Sequence, residues 1–207
     1  MRSARTAVVF GLAGLAIALR LASDWVFPRG GPLEYQLAQA LLLVIAIGVL
    51  GSDRDQIFLR GGSPRPGLRE IAIAIPLAFA GGLALAYARF GGPQWPTWNR
   101  AAVIVGNNLF FPAVEEVEFR AFLLAWVLRV TGRARLSIWL VAAVHTLAHA
   151  HWLFDRNAVM LATSFALFAW YGSLTLRTRS IWPAIAAHAA VNIFGFLPTT
   201  GGGARTP

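Results

Sequence analysis

The chain alternates between long apolar runs and short polar connectors along almost its whole length. The connectors are rich in Gly, Pro, Asp and Arg, which are typical of helix ends and turns. Most of the apolar runs are close to the roughly 20 residues that an α-helix needs to cross a bilayer. The pattern therefore predicts seven spans, at about 6–22, 33–51, 68–90, 99–130, 135–154, 158–176 and 181–197.

The predicted fold class is all-α: a polytopic transmembrane helical bundle of about seven spans. We expect one membrane domain over residues 1–207 and a disordered tail at 198–207, where Gly and polar residues replace the apolar pattern. The fourth run is longer than one span requires and carries Pro112 near its centre, so we expect a kink there.

Composition supports a membrane protein. Hydrophobic residues make up 57% of the chain, charged residues only 13%, and the mean hydropathy is +0.60. The net charge of +9 comes from Arg at the ends of apolar runs, which indicates membrane topology and no nucleic-acid partner. Eleven Arg on one side against six on the other favour a cytoplasmic N-terminus in the inner (plasma) membrane. Arg20 is counted among the six outer residues.

Two absent residue types narrow the chemistry. The chain has no Cys, which excludes disulfides, thiolate catalysis and Cys-ligated metals. It also has no Lys, which excludes a Schiff base or a Ser–Lys mechanism. Arg in place of Lys, together with much Ala and Gly, favours a GC-rich bacterial source.

Charged residues interrupt the fourth run, in the stretch PAVEEVEFRAFLLAW at 112–126. Ionisable groups at bilayer depth are expensive unless they are paired or hydrated, so they indicate a functional site. Glu116 and Arg120 are four residues apart and are expected to form an ion pair. Glu115 points about 100° away from Glu116 on a helix and is expected to remain unpaired. Glu118 receives no role.

Further polar residues fall on the fifth and seventh runs, where His145 and His149, and likewise His188 and Asn192, share a helix face. Three helices presenting polar groups at similar depth predict a shared cavity within the bilayer. A carboxylate there can deprotonate a water, a His can share that water, and His and Asn donors can stabilise an oxyanion. These residues therefore support a glutamate-activated-water amide hydrolase.

A metal site is the chemical alternative. The stretch HTLAH has two His at the spacing that binds zinc on a helix, although Thr146 stands where the zincin motif needs Glu. This His pair could bind zinc together with Glu115 and His188. We nevertheless expect no metal and no other cofactor.

Three motifs in order, EEVEFR (E-E-x-x-x-R), HTLAH and HAAVN (H-x-x-x-N), resemble those of the CAAX protease and bacteriocin-processing family of intramembrane endopeptidases, also called the Abi family. The resemblance covers residues 99–197, the expected catalytic core. It implies that Glu115 is the general base, that His149 holds the same water, and that His188 and Asn192 form the oxyanion hole. Glu116 and Arg120 would be supporting residues.

The second family motif usually reads F-x-x-x-H, and position 145 here is His. Two registers are therefore open, ending at His145 or at His149. Counting ~1.5 Å per residue from the helix ends places His149 nearer the depth of Glu115, so we favour it and keep His145 as a supporting cavity residue.

The resemblance implies a glutamic-type endopeptidase that cleaves a membrane-associated or C-terminally anchored protein or peptide. Its bacterial relatives look like enzymes that mature peptides, release membrane anchors or process C-terminal sorting tails. The alternatives are a zinc-dependent protease, a non-catalytic scaffold or immunity protein on the same fold, and a proton-relaying transporter. The transporter fits less well because the polar groups crowd into one half of the chain.

Overall fold

The computed structural model describes residues 2–26, 33–51, 53–59, 62, 65–149 and 158–200. Within these residues the regular secondary structure is helical. The α-helices are α1 (Arg2–Val26), α2 (Leu33–Leu50), α3 (Arg65–Phe90), α4 (Trp98–Glu116), α5 (Ala125–Thr131), α6 (Ala134–Ala148), α7 (Ala158–Thr178) and α8 (Trp182–Phe196). A π-helical segment, Val117–Leu124, joins α4 to α5, and short 3-10 helices cover Asp53–Ile57 and Leu197–Thr199.

Each of the seven predicted runs coincides with a helix, and the predicted helical membrane bundle is confirmed. The fourth run is a continuous helical rod made of α4, the π segment and α5. Among the described residues, three helical stretches are long and apolar enough to cross a membrane by themselves: Ala4–Ser23, Gly67–Phe90 and Ala158–Thr178. Residues 150–154 of the fifth predicted run lie outside the described residues.

The distribution of polar side chains is the reverse of that in a water-soluble protein. Large apolar side chains such as Leu41 and Leu77 are exposed on the outer surface, whereas Glu116, Arg120 and His145 are completely buried. Because lipid solvates the apolar surface and the interior pairs the charged groups, this arrangement is typical of an integral membrane protein.

The π segment lies at the centre of the bundle. It contacts α1, α6 and α7, while α1 also packs along α2, α3 along α8, and α6 along α7. Ile17 of α1 packs in one apolar cluster with Phe119 and Leu124 of the π segment and Val141 of α6. The polar residues of the fourth run are therefore surrounded by helices from both halves of the chain.

Two local expectations concern Pro112 and the C-terminus. Pro112 lies inside α4, and the departure from α-helical hydrogen bonding begins five residues later, at Val117. The wider π turn places Glu118, Phe119 and Arg120 all in the interior.

At the C-terminus, the Leu197–Thr199 helix extends into the segment expected to be disordered, and Gln94 donates its backbone N–H to Pro198 O. Residues 201–207 lie outside the described residues.

Close packing of α3 on α8 depends on Gly82. A Cβ at this position would overlap the backbone carbonyl of Gly195 on α8, whereas a Cβ on the neighbouring Gly81 meets no atom within 4 Å. We expect Gly82→Ala to destabilise the protein by about 1–3 kcal/mol, because overpacking forces the two helices apart. Thermal unfolding in detergent micelles measures the effect. Gly81→Ala is the matched control, and equal melting temperatures for the two variants would contradict the prediction.

Candidate active site

The interior at the π segment contains a connected set of charged and polar side chains from five helical elements: α1, α4, the π segment, α6 and α8. The expected Glu116–Arg120 ion pair is present, with Arg120 Nε 3.1 Å from Glu116 Oε2 and both side chains fully buried. Because the two residues are four apart across the start of the π segment, they neutralise each other within one helical rod. This pair makes the cluster tolerable in the membrane interior.

Arg120 also joins the rod to α6 and α7. Its Nη1 donates to Nδ1 of His145 over 2.6 Å, and its Nη2 donates to the backbone carbonyl of Phe168 over 2.9 Å. The guanidinium carbon lies 5.5 Å from the ring centroids of both Phe168 and Tyr171. One buried side chain therefore contacts three neighbouring helical elements by polar contacts, which only the forked geometry of Arg allows.

His145 is held rigidly by stacking. The rings of Phe119 and Phe168 lie almost parallel to it, with centroids 3.9 and 3.6 Å away, and at that spacing they must cover opposite faces. Arg120 can only donate, so Nδ1 of His145 accepts and the proton of the neutral ring is on Nε2. That Nε2 lies 3.4 Å from Oε2 of Glu115. His145 therefore presents a donor to Glu115.

Glu115 is not unpaired, and that expectation was wrong. Nη2 of Arg20, on α1, donates to Glu115 Oε1 over 2.6 Å. Arg20 lies inside α1, within the first predicted run. The other carboxylate oxygen, Oε2, faces His145 at 3.4 Å and His188 at 3.8 Å. The two oxygens of Glu115 thus have different surroundings: an arginine on one side and histidines on the other.

His188 bridges the two adjacent glutamates. Its Nδ1 lies 2.8 Å from Oε1 of Glu116, and its ring stacks on Tyr171 with centroids 4.9 Å apart. Because the Glu116 carboxylate accepts this hydrogen bond, Nδ1 of His188 carries a proton. Nε2, the nitrogen nearer Glu115, can then donate only when the ring is protonated.

His149 caps the C-terminal end of α6 and is partly buried. Its Nδ1 lies 3.1 Å from the backbone carbonyl of His145, which can only accept, so Nδ1 is the donor. Nε2 of the neutral ring therefore has a lone pair. The two histidines consequently differ in what they offer near Glu115: His145 a donor, His149 an acceptor.

Asn192 lies one helical turn after His188 on α8 and is partly buried. It makes no hydrogen bond within the part of the chain that the structure describes. Its amide can therefore bind a group from outside. Glu118 is completely buried in the π segment, and its role is not assigned by this geometry.

One group of residues could hold a metal ion among those that the structure describes. Glu115, His145 and His149 each offer a donor atom, and these atoms lie within 4.8 Å of one another. The fit to a metal is poor, because Nε2 of His145 carries the ring proton as long as Arg120 donates to Nδ1. A ligating nitrogen must be free of its proton.

Some members of the cluster could not be found from sequence spacing. The stacking rings of Phe119, Phe168 and Tyr171 resemble ordinary core aromatics in the sequence. Arg20 did leave a signal, since it is a charged residue inside the first apolar run.

Comparison with known proteins identifies the same part of the chain. The searches of curated proteins and of solved structures found no match to the chain, and the finding comes from a family model. Residues 96–194, which extend from just before α4 into the last turn of α8, match the family described as "Type II CAAX prenyl endopeptidase Rce1-like". The match contains all three motifs and confirms the resemblance. Residues 96–194 of this membrane protein therefore belong to the CAAX protease and bacteriocin-processing family of endopeptidases.

Proposed function

We propose that the protein is an intramembrane endopeptidase of the glutamic type. The observation that carries the proposal is the environment of Glu115 Oε2, which lies 3.4 Å from His145 and 3.8 Å from His188 in the membrane interior, with His149 close by. Such a constellation can activate a water against a peptide carbonyl without a nucleophilic side chain.

Each side chain has a distinct part in the reaction. Glu115 Oε2 removes a proton from a water, with Nε2 of His149 accepting the second hydrogen bond, and the hydroxide attacks the peptide carbonyl carbon. When the C–N bond breaks, Glu115 returns the proton to the departing amine. His145 donates to Glu115 and keeps the carboxylate in place. In this mechanism both histidines of HTLAH have a role: His149 binds the water, and His145 positions Glu115.

The oxyanion that forms during attack needs donors. Asn192 offers its amide, and protonated His188 offers Nε2–H while Nδ1–H remains bonded to Glu116. Glu116 and Arg120 act indirectly, by holding His188 and His145 in these orientations.

The zinc-dependent alternative is less well supported, because the proton on His145 Nε2 opposes ligation by that ring. The scaffold alternative does not account for so many buried ionisable groups directed at one point, since each is expensive in a membrane. We expect the substrate to be a membrane-associated or C-terminally anchored protein or peptide. We place the enzyme in the bacterial inner membrane with its N-terminus in the cytoplasm.

The function is tested by labelling new protein N-termini in bacterial membranes that contain the wild-type protein or its His188→Ala variant. We expect termini within membrane-anchored proteins that appear only with the wild type. Purified protein should then cleave a quenched peptide built on such a site, equally well with and without 1,10-phenanthroline. Identical termini in both membranes would contradict the proposal. Activity lost to the chelator and restored by zinc would establish the metal-dependent alternative.

A further inference from the structure

The first helix brings a charged side chain to the centre of the active-site cluster. Arg20 precedes Glu115 by 95 residues, and its guanidinium makes the 2.6 Å contact with Glu115 Oε1 with only 15% of its side chain exposed. Helix α1 lies outside the 96–194 region that matches the family. The contact therefore links the family core to a part of the chain that the family match does not cover.

The position of Arg20 is fixed by packing on both sides along α1. Ile17, one turn earlier, is buried against Phe119 and Leu124 of the π segment, and Leu21 packs against the same cluster. Because these apolar contacts hold α1 against the helical rod that carries Glu115, the guanidinium is presented at a defined point. A flexible Arg on the surface would not hold its guanidinium at a defined point.

The contact distinguishes the two oxygens of Glu115. Arginine keeps its charge at every pH that proteins meet and has only donors. With Oε1 bound to Arg20, rotation of the carboxylate is opposed, and Oε2 remains directed at His145 and His188. The geometry points to Arg20 as a positioning residue that selects Oε2 as the proton-accepting oxygen, an inference that rests on the proposed role of Glu115 as the base.

A second arginine–glutamate ion pair has a different geometry. Arg177 on α7 binds both oxygens of Glu70 on α3 at 2.6 Å, and half of the Arg177 side chain is exposed. That bidentate pair uses both oxygens and leaves neither directed at a histidine. Arg20 contacts one oxygen and leaves the other in the cluster.

The test is steady-state cleavage of the quenched peptide by reconstituted Arg20→Ala. We expect kcat to fall about 100-fold, because a reacting group displaced by about 1 Å loses that much. KM should change little, since Arg20 contacts Glu115 and the substrate need not contact Arg20.

Millimolar guanidinium should restore part of kcat by occupying the vacated site, and sodium chloride at the same ionic strength should not. Arg5→Ala removes the same charge from an exposed position of α1 and should behave as the wild type.

Glu115→Gln is measured in the same assay, so that two failures can be told apart. If Arg20→Ala keeps the wild-type kcat while Glu115→Gln is inactive, the positioning role is refuted and the proposed function stands. If Glu115→Gln is active, the proposed function itself is refuted. Loss of kcat without guanidinium rescue reduces Arg20 to a structural contact. Should Arg20→Ala fail to fold, Arg20→Gln decides by the same change in kcat at constant KM, and a wild-type kcat refutes the inference.

Discussion

Replacing Glu115 with Gln is expected to lower kcat for peptide cleavage by about 10³-fold or more, since a general base contributes about 10²- to 10⁴-fold. The substitution keeps the size of the side chain and an oxygen that can accept from Arg20. It removes the ability of the residue to take a proton from water. The variant should therefore fold and bind substrate with a similar KM, and kcat in proteoliposomes is the quantity to measure.

A second glutamate provides the matched control. Glu70 is partly exposed on α3 and bonded to Arg177, far along the chain from the motifs. Glu70→Gln makes the same chemical change to an arginine-paired carboxylate, so it controls for the loss of an ion pair. We expect wild-type kcat from this variant. Comparable losses in both variants would show that ion-pair disruption, and not the missing base, lowers activity.

Helix positions and faces were predictable because they follow from local periodicity. The seven apolar runs coincide with helices, and the four-residue spacing of Glu116 and Arg120 gave their ion pair correctly. Contacts between helices have no such periodicity. The Arg20–Glu115 pair joins residues 95 apart, and the spacing within either helix does not indicate the other.

Depth counted along a helix does not by itself decide between the two histidines of the second motif, and the preference for His149 stays a prediction. The count runs from Arg135 to His149, which lie within α6 and at its C-terminal cap. His145 is the completely buried ring, and both histidines come near Glu115. Helix ends and tilts are set by tertiary packing, which residue counting omits.

The π segment was also unpredictable from local sequence. Its residues, VEFRAFLL, include neither Gly nor Pro, and the pattern around them reads as ordinary α-helix. Hydrogen bonding from i to i+5 is rare, occurs mostly as short bulges and is frequent at functional sites. Here it begins directly after Glu116, where the interior must accommodate Glu118, Phe119 and Arg120 in succession.

Arg120→Met is expected to cause the largest loss of stability, about 3–5 kcal/mol, which is typical when one member of a buried ion pair is removed. Methionine can fill much of the volume. It leaves the Glu116 carboxylate without its arginine partner, and Nδ1 of His145 and the Phe168 carbonyl without their donor. For a chain of this size the melting temperature should fall by on the order of 10 °C.

Two further variants separate the buried charge from the lost contacts. Arg177→Met breaks the partly exposed pair with Glu70 and should cost only about 0–1 kcal/mol, as surface pairs do.

Adding Glu116→Gln to Arg120→Met removes the uncompensated carboxylate and should recover part of the stability, because the isolated buried charge is the costly element. Activity should not return in that double variant, since the carboxylate that contacts His188 and the arginine that holds His145 are both missing. A double variant as unstable as Arg120→Met alone would mean that the contacts to α6 and α7, and not the charge on Glu116, account for the loss.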